Sequence, residues 1–556
     1  MPRPISNHKL LKTGQKFSRM LKCIAVKPKT DLITSINWRV IGIMRAETIG
    51  QAIGQVGPTF SLGGFGRILQ PLILETLEDH NKSKFRKGTI LIGNILMWLV
   101  LSMAIRRDLA YNHVFNWMLR GFRWLKPLLP AKNRLLSDGT ISKARAKLGI
   151  SPLKSLFDKL TKKHLLDLPA DFYHWVSMGF DGSTATVPDT EANRECFKKP
   201  NRGKAAFPQL RMMILLALRL HLVLDIDYAP YSGKKTGERT LMMNILARIF
   251  TVVTAPMLFL MDGGLYSFHA LYTITQAGHD LITKASSNMK LIPIKHLSDG
   301  SYLAIITGKI EDPTLPARKK GQRRWKKVEI TVRVITLHIN GFRPVRLITT
   351  ILDENITARE IAEHYHLRWE IEIAFDEIKT HQCATLRGQL ATTFRSKTPD
   401  LVQQELYATV IMYNAVRLII WESAKLYKKE AMRISFLDSL QHLIDMAPTT
   451  AALDTDERQE RLHHLHELIA DSQIDRPRRP RVAPRVVKVN RSGYRTKKAD
   501  DKSEIRDFLA ELTIIPHPDS GPKEDALREI PSKEKDSVAY KLLRPDSYYH
   551  NKFIIN

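Results

Sequence analysis

The chain has 556 residues, with 86 Lys and Arg against 56 Asp and Glu and a formal net charge of +30. That length exceeds one domain, and the basic excess points to a polyanionic partner, nucleic acid first and an acidic membrane second. Cys23, Cys196 and Cys383 are far apart and form no CxxC pair, so neither a disulfide framework nor a zinc site is indicated, and a reducing compartment fits.

Residues 1–35 form a basic extension, read either as an arm lying on DNA or simply as an extra segment. Residues 36–165 read as a helical N-terminal domain. Leu69, Leu72, Ile73 and Leu77 mark an amphipathic helix with Pro71 in its first turn. The apolar run Thr89–Ile105 contains Gly93 and Asn94 and ends at Arg106-Arg107. It sits at the short end of the roughly 17–25 residues that cross a bilayer, so a buried helix is expected and no membrane partner. The N-terminus lacks the apolar stretch of a secretory signal, which places the protein in the cytoplasm, on DNA. Three more helices follow. They are Val114–Trp124, Thr140–Leu148 capped by Ser137 or Asp138, and Pro152–Leu160 capped by Ser151. Arg145 and Lys147 put cations on the second, giving a DNA-end reader or a packing face.

Near Phe172 the pattern changes. Val176–Val187, Arg211–Leu218 and Leu220–Asp227 read as strands. Leu241–Thr251, preceded by Gly237-Glu238-Arg239, reads as a helix, Pro256–Met261 as a strand, Ser267–Gln276 as a helix and His279–Lys284 as a strand. This order predicts an α/β, ribonuclease-H-like catalytic core over 170–289 and 354–430. A β-rich insertion, 290–353, interrupts it, with strands Tyr302–Ile310, Lys327–His338 and Arg343–Leu352. The loop Pro316–Lys327 carries Arg323, Arg324 and Trp325 among many cations. Helices Gln403–Leu426, Phe436–Met446 and Leu453–Ser472 follow, the last two in a helical C-terminal region, 431–475. The final segment, 476–556, opens with a basic, proline-bearing tail over 476–498 suited to a phosphate backbone.

Tyr365–Lys379 reads as one helix without Gly or Pro. Advancing 100° per residue from Tyr365 places Arg368, Glu372 and Lys379 with it on a stripe about 60° wide. Ile371, Phe375 and Ile378 form an apolar face. A carboxylate among two cations and a phenol suits a phosphodiester near a metal. The same spacing also describes a solvated, salt-bridged face. Asp181 lies in the first inferred strand and Asp262 ends the fourth, each followed by glycine. If those strands are neighbours, both carboxylates reach one sheet edge and Glu372 arrives from the helix. Hard carboxylate oxygens suit magnesium, and two-metal phosphoryl transfer needs such carboxylates. A lone Asp-Gly also reads as an ordinary turn.

Tyr365, Arg368, Glu372 and Lys379 carry the spacing of the Tyr-Arg-Glu-Lys signature, and the chain resembles DDE transposases of insertion-sequence family four. Phe180-Asp181-Gly182-Ser183 with Val187-Pro188-Asp189-Thr190 is similar to that family's first Asp motif. Asp262-Gly263-Gly264-Leu265-Tyr266-Ser267 is similar to its second. The resemblance covers about residues 60–500. It implies cut-and-paste transposition through DNA hairpins, on double-stranded DNA comprising terminal inverted repeats and target. Asp181, Asp262 and Glu372 would hold two Mg²⁺, for which Mn²⁺ can substitute. Tyr365, Arg368, Lys379 and Lys284 would contact DNA, in a synaptic homodimer. Hairpinning in such enzymes uses an aromatic platform, and Trp325, beside Arg323 and Arg324, is the candidate. The other reading of Trp325 is a cap on the core of the insertion. The chain departs from the family pattern at Gly263 and Lys284, where Arg is usual. These departures motivate the alternative of a DNA-binding relative impaired in catalysis.

Overall fold

A computed structural model describes residues 60–83, 89–121, 136–165, 168–200, 207–253, 255–312, 314, 324–340, 342–382, 393–451, 453, 455–474, 481–482 and 504–517. The basic extension, Arg323 and nearly all of 476–498 lie outside these residues. The fold is mixed α/β, with a large mixed sheet and many helices.

The chain enters through helices α1 (Gly63–Asp79), α2 (Gly93–Ile105), α3 (Tyr111–Met118), α4 (Asp138–Leu148) and α5 (Ser151–Leu165). Helix α1 starts well before Leu69, so Pro71 lies inside it rather than in its first turn. Every residue of α2 is buried. An apolar segment without a polar face must be covered on all sides, and α11, introduced below, packs along it. No described helix is long and apolar enough to cross a membrane. Ser137 caps α4 by accepting from the Thr140 amide at 3.1 Å, and Gly149 closes that helix at φ 76°, a value glycine adopts freely. Arg145 is not a surface cation. It is fully buried, and its guanidinium donates to Ser396 Oγ at 3.2 Å and to the Leu401 carbonyl at 3.0 Å.

The sheet then forms from β1 (Val176–Thr186), β2 (Gln209–Ala217) and β3 (Leu222–Pro230), with helix α6 (Glu191–Phe197) between the first two. Next come α7 (Glu238–Ile249), β4 (Met257–Met261), α8 (Phe268–Gln276) and β5 (Asp280–Lys284). The strands β6 (Pro293–His296), β7 (Tyr302–Glu311), β8 (Trp325–His338) and β9 (Val345–Thr349) complete the row. Strand order is 3-2-1-4-5-9-8-7-6. β1 runs antiparallel to β2 and parallel to β4, β4 is parallel to β5, and β9 joins β5 antiparallel. Residues 290–353 therefore hydrogen-bond onto the edge at β5 and extend one sheet. Two short C-terminal strands, β10 (Arg481–Val482) and β11 (Glu504–Ile505), pair with each other, and β12 (Thr513–Ile514) pairs with β8.

After β9 come α9 (Ala358–Tyr365), a 3₁₀ turn (His366–Trp369), α10 (Glu370–Asp376) and a π-helical turn (Glu377–Gln382). Thr357 and Glu360 form a capping box at the start of α9. The long α11 (Pro399–Leu426) has Pro399 in its first turn and is buried over most of its length. It packs on α2, α5 and β3, and α12 (Phe436–Thr450) and α13 (Thr455–Asp471) pack on it. α11 is thus the column to which both the helical entry domain and the sheet are fixed.

Candidate active site

The ladder between β1 and β4 runs from Val176–Met257 to Gly179–Leu260. Two residues further, both chains reach an aspartate, Asp181 on one and Asp262 on the other. Parallel pairing alone thus brings the two carboxylates level at one sheet edge. Asp181 stays within β1 and accepts from the Gly182 amide at 2.8 Å. Asp262 stands just past β4, exposed, and its Oδ2 accepts from the Gly264 amide at 3.3 Å. The glycine after each aspartate serves close approach rather than a left-handed turn. A Cβ on Gly182 would stand 2.8 Å from the carboxyl carbon of Glu238, and one on Gly263 would stand 2.9 Å from the Lys284 carbonyl oxygen. Gly263 and Lys284, the two departures from the family pattern, therefore pack against each other.

The helical run from Tyr365 to Lys379 is not uniform. It passes through 3₁₀, α and π winding, so the constant 100° advance expected from sequence does not hold. Its polar side chains nonetheless reach the same sheet edge. The Tyr365 hydroxyl donates to the Met261 carbonyl at 3.0 Å, one residue before Asp262. Lys379 donates to Ser183 Oγ, two residues after Asp181. Arg368, only 8% exposed, pairs with Glu372 at 3.3 Å and lies 4.6 Å over the Trp369 ring. The face is salt-bridged through Arg368 and Glu372, but it lies against the sheet edge rather than standing open to solvent.

Electrostatics tie these groups together. Burial pushes the Asp181 carboxyl up from 3.8 to about 7, and the Glu372 charge adds to the rise while Arg368 opposes it. For Arg368, burial works to lower the pKa. The charges of Tyr365, Glu372, Asp262 and Asp181 outweigh it and raise the net value. One guanidinium thus senses all three carboxylates. Burial pushes Tyr365 up to about 12. Burial also lowers Lys284, with Asp262 acting against that fall. His364 is bonded to Ser177 Oγ at 2.6 Å and is lowered to about 4 by burial, with Arg219 adding to the fall. It belongs to the packing beneath the site.

Asp181, Asp262 and Glu372 offer hard carboxylate oxygens, the donor type that a divalent cation takes. Among the described residues, no three His, Cys, Asp or Glu side chains are drawn into a ligand cluster, and Arg368 supplies the positive charge between the carboxylates. Trp325 opens β8 opposite Glu311 and is 50% exposed, so it does not cap a core. It stands eight residues from Arg333, where β8 joins β9. At about 3.3 Å per residue, the β7–β8 hairpin carries Trp325 and Arg324 roughly 26 Å out from that junction.

Sequence reasoning passed over a buried group under the site. His221 contacts Glu370 and Glu377, and Glu377 also meets Tyr413 and Arg417. A signal was present, because the same helical advance places Glu370 and Glu377 together near 130°, away from both the reactive stripe and the apolar face.

Comparison with known proteins gives a consistent result. The family model described as Transposase DDE domain matches residues 180–415, spanning all three carboxylates. That described as Insertion element 4 transposase N-terminal matches residues 60–158, the helical entry. Transposase InsG for insertion sequence element IS4, from Escherichia coli (strain K12), is 26% identical over 461 residues, covering 79% of this chain and 96% of that protein. Among solved structures, a cryo-EM piggyBac transposase synaptic complex with hairpin DNA covers 74% of this chain and 83% of its own at a TM-score of 0.37 and 10% identity. A likeness that loose says nothing of mechanism.

Proposed function

Because the chain belongs to the insertion-element-4 family of DDE transposases, we propose that it excises its own insertion sequence from double-stranded DNA and joins it to a target by cut-and-paste. The observation that carries this reading is the level placement of Asp181 and Asp262 on parallel neighbours, with Arg368 sensing both together with Glu372. The first five strands, an antiparallel meander continued by two parallel strands, support a ribonuclease-H-like core.

Asp181, Asp262 and Glu372 would hold divalent cations, Mg²⁺ with Mn²⁺ able to substitute, which supply activation of the attacking oxygen and stabilisation of the leaving one. The chain's own residues position the DNA. Arg368 offers a planar fork and Lys379 a point charge to phosphates beside the scissile bond. Tyr365, fixed on the Met261 carbonyl, holds the turn that carries Asp262. Lys284 adds a cation at the end of β5. Water attack breaks the P–O3′ bond at the transposon terminus and leaves a 3′-hydroxyl. That hydroxyl attacks a phosphodiester of the opposite strand, displacing the flanking DNA as a free 3′-hydroxyl and closing a hairpin; water then breaks the hairpin P–O3′ bond, and the restored 3′-hydroxyl attacks a target phosphodiester, displacing the target strand's 3′-oxygen. Trp325, presented with Arg324 on the extended hairpin, stacks a flipped base during closure. The acting form is a homodimer synapsing two ends.

The test uses full-length protein and a labelled duplex carrying the terminal repeat read from the DNA that bounds the gene. Nicks, then a hairpin migrating at doubled length on a denaturing gel, are expected with Mg²⁺. Absence of cation-dependent cleavage overturns the reading. Cleavage without hairpins overturns the hairpin route alone.

A further inference from the structure

The turn between β2 and β3 holds an unusual residue. His221 is 1% exposed and has φ 52°, in the left-handed region where glycine or asparagine costs less. Such strain persists only where the surroundings over-determine it, and it clusters at functional sites. Both ring nitrogens are engaged. Nε2 meets Glu370 Oε2 at 2.9 Å, and Nδ1 meets Glu377 Oε2 at 3.3 Å. Tyr413 donates to Glu377 Oε2 at 2.9 Å, and Arg417 pairs with the same oxygen. Both are buried residues of α11. The other end of the turn is fixed too, since Asn414 accepts from the Val223 amide at 2.9 Å and donates to the Val223 carbonyl at 2.7 Å.

The two acids bracket the reactive side chains. Glu370 precedes Glu372 by two positions, and Glu377 precedes Lys379 by two. Residues two apart on a helix face nearly opposite ways. Pinning the buried acids therefore sets the direction of the glutamate and lysine on the opposite face. Glu377 also opens the π turn, a winding that is costly without outside support.

We propose that His221 is a positioning residue for transposition, bracing α10 and its π turn from behind so that Glu372 and Lys379 are presented to the DNA end. This rests on the transposase reading. It gives the strained, fully buried imidazole a task that packing alone does not require, since an apolar side chain of similar volume would fill the same space without needing two acids opposite it.

The test compares wild type, His221→Gln and Glu370→Gln as full chains on the same terminal-repeat duplex. Single-turnover cleavage, end-binding affinity and thermal unfolding are measured for each. A displacement of about 1 Å at the reacting groups costs on the order of a hundredfold in rate. His221→Gln is expected to lose about that much, while end affinity stays within about threefold, as for an interaction made in the transition state. Glu370→Gln removes a buried charge without emptying the space, and it reads the same brace if the histidine variant fails to fold. Its rate is also expected to fall with affinity retained. Rates within about twofold of wild type in Glu370→Gln and in any folded His221→Gln overturn the proposal, as does loss of rate and affinity in the same proportion. If wild type itself does not cleave, the transposase reading has failed rather than the brace.

Discussion

Asp181 gives the sharpest quantitative prediction. Burial and the neighbouring Glu372 charge raise its carboxyl from 3.8 to about 7. The group binds its proton more tightly in the folded than in the unfolded chain. That contribution to stability is fully present below about pH 4 and is lost as pH rises through about 7. Above that range the fold must hold an ionised carboxylate that the unfolded chain would leave in water. At about 1.4 kcal/mol per pH unit, the cost reaches at most about 4 kcal/mol, and relaxation in an effective dielectric of about 20 leaves about half of it. Asp181→Asn keeps the shape and an acceptor for the Gly182 amide but carries no charge. In chelator-treated protein it should therefore be more stable than wild type by about 2 kcal/mol at about pH 8, with the advantage shrinking toward about pH 4. Urea unfolding of both proteins across that range measures it. An asparagine variant no more stable than wild type at about pH 8, or a difference flat with pH, would refute the picture of a carboxyl held protonated by burial beside Glu372.

Tyr365→Phe removes the hydroxyl that bonds the Met261 carbonyl beside Asp262. It should slow cleavage about tenfold with end affinity nearly unchanged, as measured by single-turnover kinetics. Arg333, fully buried, donates to Ser301 Oγ at 2.9 Å and to the Asp353 and Ile356 carbonyls at 2.9 and 2.7 Å, and it pairs with Asp299, which accepts from the first amide of α9. Arg333→Met strands that aspartate and should cost about 3–5 kcal/mol in urea unfolding, and an unchanged midpoint would count against the network. Deleting 476–498 removes ten Lys or Arg. The deletion should weaken DNA binding and flatten its salt dependence, and an unaltered salt slope would reject phosphate neutralisation by that segment.

Local pattern made the site legible. β-branched and apolar runs located β1 and β4, and the aspartate at each was visible because it interrupts such a run. Parallel pairing of those two strands then did the rest. What escaped was long-range. Nothing within 290–353 says that β9 will pair with β5, since that pairing depends on which sheet edge is open. β6 was missed because Pro293 and exposed Ile294 break the usual alternation. α6 was missed although Thr190 caps it by accepting from the Asn193 amide at 3.4 Å, because seven residues carry too little periodicity. Arg145 read as a surface cation because its partners, Ser396 and Leu401, lie some 250 residues away. Helix winding failed for a related reason, since the π turn at Glu377 is sustained by His221, Tyr413 and Arg417 from other elements.

The central claim is that Asp181, Asp262 and Glu372 form one catalytic unit acting on DNA ends. Glu372→Gln keeps the helix and its size while removing the charge that Arg368 and Asp181 sense. With Mg²⁺ and a terminal-repeat duplex, wild type should cut while Glu372→Gln binds the end within about threefold and loses cleavage by at least about a thousandfold. Equal cleavage by the two proteins would contradict the account.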